Sequence, residues 1–181
     1  MQSARSYAAR PVRIVALALA LAAAAGLCHA AGFRGVAWGA SQEEVRSTET
    51  HPLHHDYEGE LAYWNFEFAG VEAGLVYVFE DDRLVRARFV SRHRTSRPEE
   101  DMADYEAFKA QLEEHFGPAE SEEWVWADGA ERAEGEGSVA AIASGEVVLE
   151  SRWTLDDTTV RLLIAGENGV VETVRAVFEP L

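Results

Sequence analysis

Residues 64–89, WNFEFAGVEAGLVYVFEDDRLVRARF, decide the fold. A related pattern occurs 89 positions later, where WTLDDTTVRLLIAGENGVVETVRAVF occupies residues 153–178. Six positions are identical without a gap, and the strongest match pairs residues 84–89 (LVRARF) with residues 173–178 (TVRAVF). An internal repeat of this kind predicts two copies of one supersecondary unit.

Hydrophobic alternation in the first copy predicts an antiparallel three-stranded meander over residues 61–92. If Asp81-Asp82 closes a two-residue hairpin, Val78 lies opposite Val85 and Tyr77 lies opposite Arg86. The predicted core face consists of Gly74, Val76, Val78, Val85, Ala87 and Phe89. The opposite face carries Leu75, Tyr77, Phe79, Leu84, Arg86 and Arg88.

The second of these faces mixes large apolar side chains with arginines and needs a cover. Such a mixture is typical of surfaces that bind anions or proteins, although arginines also neutralise neighbouring carboxylates. We predict Tyr77, Phe79, Arg86 and Arg88 as binding residues if the cover is a partner. The other candidates for the cover are the second half of the chain and a homodimer mate.

One helix is predicted ahead of each meander. Ser41 and Glu44 form a capping box that begins a helix of about two turns. The second helix begins near Pro98 and ends at Gly117-Pro118. Its buried side chains, at helical spacing, are Tyr105, Phe108, Leu112 and Phe116.

The second half adds further elements to the same plan. Strands are predicted at residues 124–126, 139–143, 146–155, 158–165 and 170–178, with Asn168-Gly169 as the last turn. Residues 127–138 are rich in Gly, Glu and Ala, which predicts a flexible acidic loop. The predicted fold is therefore α+β: two tandem helix-plus-antiparallel-meander units, residues 31–95 and 96–181, packed as one compact domain.

Residues 1–30 predict a bacterial signal peptide. Three arginines precede an apolar run over residues 14–27, and small residues at Cys28 and Ala30 suit cleavage after Ala30. The protein is therefore expected in the periplasm or outside the cell, with no stable membrane span after cleavage. Lipidation of Cys28 is the alternative, disfavoured because the preceding residue is Leu27.

The charge of the chain excludes one class of partner. The full chain has a net charge of −16, and removal of three arginines with the signal peptide leaves 13 − 32 = −19. So acidic a protein repels phosphate backbones, which excludes nucleic-acid binding as its main role.

A histidine-rich segment offers a different chemistry. His51, His54, His55 and Asp56 are ligand types for a transition metal, so the alternative function is a metal-binding protein or a metal-dependent enzyme. Pro52 favours a loop here, and a solvated connector over residues 50–59 is the simpler interpretation.

The sequence after Ala30 contains no cysteine nucleophile, Gly-x-Ser-x-Gly elbow, His-Glu-x-x-His helix or glycine-rich phosphate loop. We therefore predict a binding protein without a cofactor rather than an enzyme. Its expected partner is an envelope protein or a second copy of the chain.

The run Phe33-x-Gly35-x-x-Trp38-Gly39-x-Ser41-x-x-Glu44-Val45, followed later by Phe116-Gly117-Pro118, resembles a pattern in exported proteobacterial proteins of unknown function. More distantly, the order of helix and meander is similar to BamE/SmpA-type modules. Two such units in tandem resemble the plan of β-lactamase inhibitory proteins. The resemblance implies a non-catalytic protein that works through protein contacts, although the inhibitors' disulfides are absent.

Overall fold

The computed structural model describes residues 32–57, 59–92, 97–127 and 138–181. These residues form ten strands and three helices. The strands are β1 (Gly32–Phe33), β2 (Val36–Ala37), β3 (Leu53–Tyr57), β4 (Glu60–Phe68), β5 (Val71–Glu80), β6 (Arg83–Ser91), β7 (Ser121–Trp126), β8 (Val147–Thr154), β9 (Thr158–Glu167) and β10 (Val170–Pro180). The helices are α1 (Gln42–Thr48), α2 (Pro98–Phe116) and α3 (Val139–Ser144).

Eight of the strands form one antiparallel sheet in the order β3-β4-β5-β6-β10-β9-β8-β7, while β1 and β2 pair separately. Two four-stranded meanders, β3 to β6 and β7 to β10, meet where β6 pairs with β10. The prediction of an α+β fold with a large antiparallel sheet and few helices is confirmed.

The caps of α1 and α2 follow the sequence signals. The Ser41 side chain accepts from the Glu44 amide, and the Glu44 carboxylate accepts from the Ser41 amide at 2.8 Å. Helix α2 has Pro98 in its first turn and ends at Gly117, whose φ of 84° suits a residue without a Cβ. Both helices therefore begin and end close to where their caps predict.

All three helices contribute to one core on one face of the sheet. Tyr105, Phe108 and Leu112 of α2 are buried in the same cluster as Ile142 of α3 and Val45 of α1. Phe33 of β1 extends this core over the first meander. Its ring centroid lies 5.8 Å from Tyr77, 5.9 Å from Phe89 and 4.7 Å from Phe178.

The predicted pairing of β5 with β6 is wrong beyond the hairpin turn. Asp81 and Asp82 do form a two-residue turn, with φ of 50° and 57°, and Phe79 pairs with Leu84 as expected. A β-bulge follows, so that Val78 pairs with Arg86. The extra residue shifts the pairing by one, so that Ala87 and Phe89 share the core face with Leu75 and Tyr77 of β5 instead of with Gly74, Val76 and Val78.

The bulge rearranges both faces. Leu75, Tyr77, Ala87 and Phe89 share the core, whereas Arg86 and Arg88 pair with Val78 and Val76 on the other side. A hairpin without a bulge would instead place Tyr77 opposite Arg86, on the same face. The prediction that Tyr77 and Phe79 share a face with Arg86 and Arg88 is therefore wrong.

Two further elements differ from prediction. Residues 53–57, expected in a solvated connector, form the edge strand β3, whose backbone pairs with β4 despite polar side chains. Pro52 precedes the strand, where a missing N–H does no harm. Residues 139–143 are helical because the Ser138 side chain caps α3 and Gly145, at φ 86°, ends it. A short apolar run does not distinguish a strand from a buried helix by periodicity alone.

The predicted signal peptide and most of the predicted acidic loop lie outside the described residues. Within the described ranges, no helix combines the length and the apolar character required to cross a membrane.

Candidate functional site

The face of the sheet opposite the core, called the outer face, receives no helix within the described chain. The apolar side chains Ala62, Val76, Leu163 and Val177 on this side are buried, at most 7% exposed, whereas its central arginines are half-buried. Near the centre of the sheet they are Ala62 and Trp64 (β4), Val76 and Val78 (β5), Arg86, Arg88 and Val90 (β6), Arg161 and Leu163 (β9), and Arg175 and Val177 (β10).

A cavity of about 410 Å³ opens on this face. Its apolar surface comes from Ala62, Val76 and Val90, and two aromatic side chains, Tyr57 and Trp64, stand beside them. The remaining lining residues are polar or charged: His55, Glu60, Arg88, Glu172, Thr173 and Arg175. Strands from both halves of the sheet thus build one cavity.

Trp64 forms a wall of the cavity because of local backbone geometry. It lies within a bulge of β4, between the pairs made by Tyr63 and Phe66, next to Asn65 at φ 65°. The indole crosses Gly74 so closely that a Cβ there would be 1.7 Å from the Trp64 ring. Glycine at position 74 is therefore what allows the indole to lie against the sheet.

Three of the four central arginines on the outer face have carboxylate partners. Arg86 and Arg161 share Glu179, at 2.5 Å and 3.2 Å. Arg88 donates to Glu60 at 3.1 Å. These pairs fit the expectation that arginines neutralise nearby carboxylates.

Arg175 is different, since it makes no ion pair with any part of the chain that the structure describes. Its Nε is buried and has no hydrogen-bond partner there. Burial lowers the pKa of Arg175 below its usual value, and the positive charges of Arg88, Arg161 and Arg86 lower it further. The cavity therefore contains a half-buried cation that forms no ion pair with any described side chain.

The four predicted binding residues separate into two pairs. Tyr77 and Phe79 are 0% and 5% exposed and belong to the core, so they cannot contact a partner on the surface. Arg86 and Arg88 lie on the outer face, with side chains 41% and 26% exposed. Only Arg88 of the four lines the cavity.

The predicted metal ligands are held by other contacts. Asp56 accepts two hydrogen bonds from Arg46, each 2.8 Å long. His51 stacks on Phe66 with ring centroids 3.8 Å apart, and the His54 and His55 rings contact each other edge to face. No group of three or more possible ligands in the described residues has an arrangement that could hold a metal ion.

Sequence reasoning missed Arg175, Trp64 and Tyr57 as members of one site. A usable signal existed for Arg175, which is the counterpart of Arg86 in the repeat. The contributions of Trp64 and Tyr57 depend on the bulge in β4 and on the pairing of β3 with β4. No family model, curated protein or solved structure matches the chain.

Proposed function

We propose that this is an exported, non-catalytic binding protein that engages its partner through the outer face of the sheet. One observation carries the proposal: Arg175 lies half-buried in an open cavity without a carboxylate partner among the described residues. Taking a cation out of water without a partner is unfavourable. An anionic group on a bound partner would offset that cost.

The electrostatics of the chain support the same conclusion. The protein has an excess of acidic residues, with a net charge of −16, yet the centre of this face places four arginines beside three carboxylates, Glu60, Glu172 and Glu179. A local positive region on an acidic protein favours partners that carry negative charge and disfavours basic surfaces. Three of the arginines therefore pair with carboxylates of the chain, whereas Arg175 is available for recognition.

We further propose that the sheet arose from two tandem helix-plus-meander units. The repeat offset of 89 maps Ala87 on Ala176 and Phe89 on Phe178. In the sheet, Ala87 pairs with Phe178 and Phe89 pairs with Ala176, so the β6–β10 register is symmetric about the pair Arg88 and Val177. The two tryptophans of the repeat do not share this symmetry, since Trp64 lies on the outer face and Trp153 in the core.

Export rests on residues 1–30, where arginines precede an apolar run and a small-residue cleavage site. N-terminal sequencing of the protein recovered from the periplasm tests this part of the proposal. A mature chain that begins at Ala31 supports it. A chain that keeps Met1 and remains in the cytoplasm contradicts it.

Site-specific photocrosslinking tests the binding role. A benzoylphenylalanine at Val78, on the outer face, is compared in native cells with the same residue at Glu106, an exposed position on α2. An adduct from position 78 that is absent from position 106 supports the proposal. Equal adducts, or none from either position, contradict it.

The metal-dependent alternative has a separate test. Protein purified without a histidine tag is analysed for bound elements, and each of His51, His54 and His55 is then replaced by glutamine. A stoichiometric metal that these replacements remove would overturn the binding proposal in favour of a metal site.

A further inference from the structure

We infer that the cavity on the outer face binds a small organic monoanion, a carboxylate with a flat apolar or aromatic body, and that Arg175 receives the carboxylate. The inference rests on the proposed binding role of this face and specifies the ligand. It combines the charge of the cavity with its shape.

The charge of the lining favours a single negative charge. Arg175 is the cation without a carboxylate partner, whereas Arg88 already donates to Glu60. Glu60 and Glu172 also line the cavity, so a dianion such as a phosphate monoester would meet repulsion from both. A carboxylate supplies one charge and two acceptor oxygens, which the guanidinium fork can bind together.

The shape of the lining favours an apolar body next to that charge. The apolar part of the lining consists of the aliphatic side chains of Ala62, Val76 and Val90, and Trp64 and Tyr57 add aromatic surface to it. The volume of about 410 Å³ lies near the lower end of small-molecule sites, which run from roughly 300 to 1,000 Å³. A one- or two-ring acid matches this size.

The Arg88 side chain adds a second recognition element. Its Nε is buried and, like that of Arg175, has no hydrogen-bond partner within the described chain. Arg88 also sits at the join of the two halves, where it pairs with Val177. A carboxylate between the two arginines would reduce their mutual repulsion, which helps to lower the pKa of Arg175.

The experiment measures binding of benzoate, 2-naphthoate and indole-3-acetate to the protein purified from periplasm, by calorimetry and by Trp fluorescence. Each acid is compared with its amide, which keeps the body and removes the charge. At least one acid is expected to bind, and its amide to bind at least about 10-fold more weakly, because the charge-assisted hydrogen bonds are lost. This comparison uses the wild-type protein, so it does not depend on any variant.

The variant Arg175→Gln is expected to weaken binding of the acid at least about 10-fold. It should not lower thermal stability, since it removes a charge that has no ion-pair partner among the described residues. The matched control is Arg152→Gln, an arginine on the same face in β8, two strands from β10, which should leave the affinity unchanged. Trp64→Leu should weaken binding of the acid and of the amide alike, because it removes the indole wall of the cavity.

Several outcomes overturn the inference. They are an amide that binds as well as its acid, an Arg175→Gln protein that binds the acid like wild type, and no acid binding at millimolar concentration. Sedimentation of the same samples tests whether a second copy of the chain occupies the face instead. A dimer that dissociates in the Arg175→Gln variant, with no acid binding, assigns the face to a second copy. A protein adduct from position 78 without acid binding leaves the proposed function standing and removes only this inference.

Discussion

The role of Tyr77 is clear only once its neighbours in the structure are known. It is fully buried, and its hydroxyl donates to Glu49, which also accepts from Arg34 at 3.0 Å. Burial raises the pKa of Tyr77, and the Glu49 carboxylate raises it further, so the phenol remains a neutral donor. Tyr77 therefore helps to hold the segments that follow α1 and β1 against the sheet.

The replacement Tyr77→Ala is expected to destabilise the protein by about 3–5 kcal/mol, the range for removing a buried aromatic side chain. Arg86→Ala should cost about 1 kcal/mol or less, because its ion pair is partly exposed to solvent. Urea unfolding of both variants measures the difference. Similar small losses would show that Tyr77 is not internal.

At the scale of elements, the bulge of β6 decides which side chains reach the outer face. Val85 is the extra residue, since Phe79 pairs with Leu84 and Val78 with Arg86. Beyond it the pairing is regular, with Ala87 opposite Tyr77 on one side and Phe178 on the other. The strand therefore separates into a short segment before the bulge and a regular segment after it.

Deletion of Val85 is expected to keep the fold, because it removes only the extra residue and leaves Leu84, Arg86 and Ala87 on their present faces. Deletion of Ala87 should cost more than about 4 kcal/mol or abolish folding, since it forces one part of the strand to exchange faces. Thermal unfolding compares the two proteins. A deletion of Ala87 that is as stable as that of Val85 would contradict the register.

A polar network attaches α2 to the second meander. The Tyr105 hydroxyl lies 2.8 Å from Ser151 Oγ, which donates to Glu122 at 2.9 Å. Glu122 also forms an ion pair with Lys109. Partial burial raises the pKa of Glu122, but hydrogen bonds from Lys109, Ser151 and Tyr105, together with the Lys109 charge, outweigh it and hold the pKa below its usual range.

This network predicts a pH dependence. A carboxyl group whose pKa is lowered by folding stabilises the protein above its unfolded pKa and loses that contribution as pH falls through the folded pKa. The wild type should therefore exceed Glu122→Gln in stability at pH 7, and the difference should shrink as pH falls below the usual value of 4.5. Urea unfolding across this range measures it. A difference that stays constant with pH would contradict the lowered pKa.

At the scale of the whole molecule, eight of the described strands form one sheet, and its two halves depend on each other at the β6–β10 pair. The core cluster also crosses this boundary, because Phe33 contacts both Phe89 and Phe178. Neither meander has a complete core face without the other. The outer cavity has the same property, since Arg175 comes from one half and Trp64 from the other.

We therefore expect a single cooperative unfolding transition for the described halves together. Hydrogen exchange should give β5 and β9 the same free energy of opening, and residues 31–95 expressed alone should show no cooperative transition. Exchange followed by mass spectrometry makes the measurement. Separate opening of the two meanders, or a stable isolated half, would contradict this dependence.

Much of the fold follows from local signals. The capping box at Ser41, the Gly117 stop and the Asp81-Asp82 turn each depend on residues close in the chain, and all three occur where they were predicted. The bulge at Val85 has no comparable local signal. An extra residue in β6 is tolerated only when the neighbouring strands β5 and β10 accommodate it, and those strands are set by long-range pairing. Trp64 and Tyr57 were missed for the same reason, because their places in the candidate site depend on the bulge of β4 and on the β3–β4 pairing.

By itself, then, the sequence determined the type and approximate bounds of most elements, since caps, turns and alternation act over a few residues. The tertiary structure alone decided which face each arginine occupies and which of them lacks a partner. Both depend on strand register and on carboxylates distant in the chain: Glu179 pairs with Arg86, and no described carboxylate reaches Arg175. Long-range pairing sets those distances, and the local pattern does not contain them.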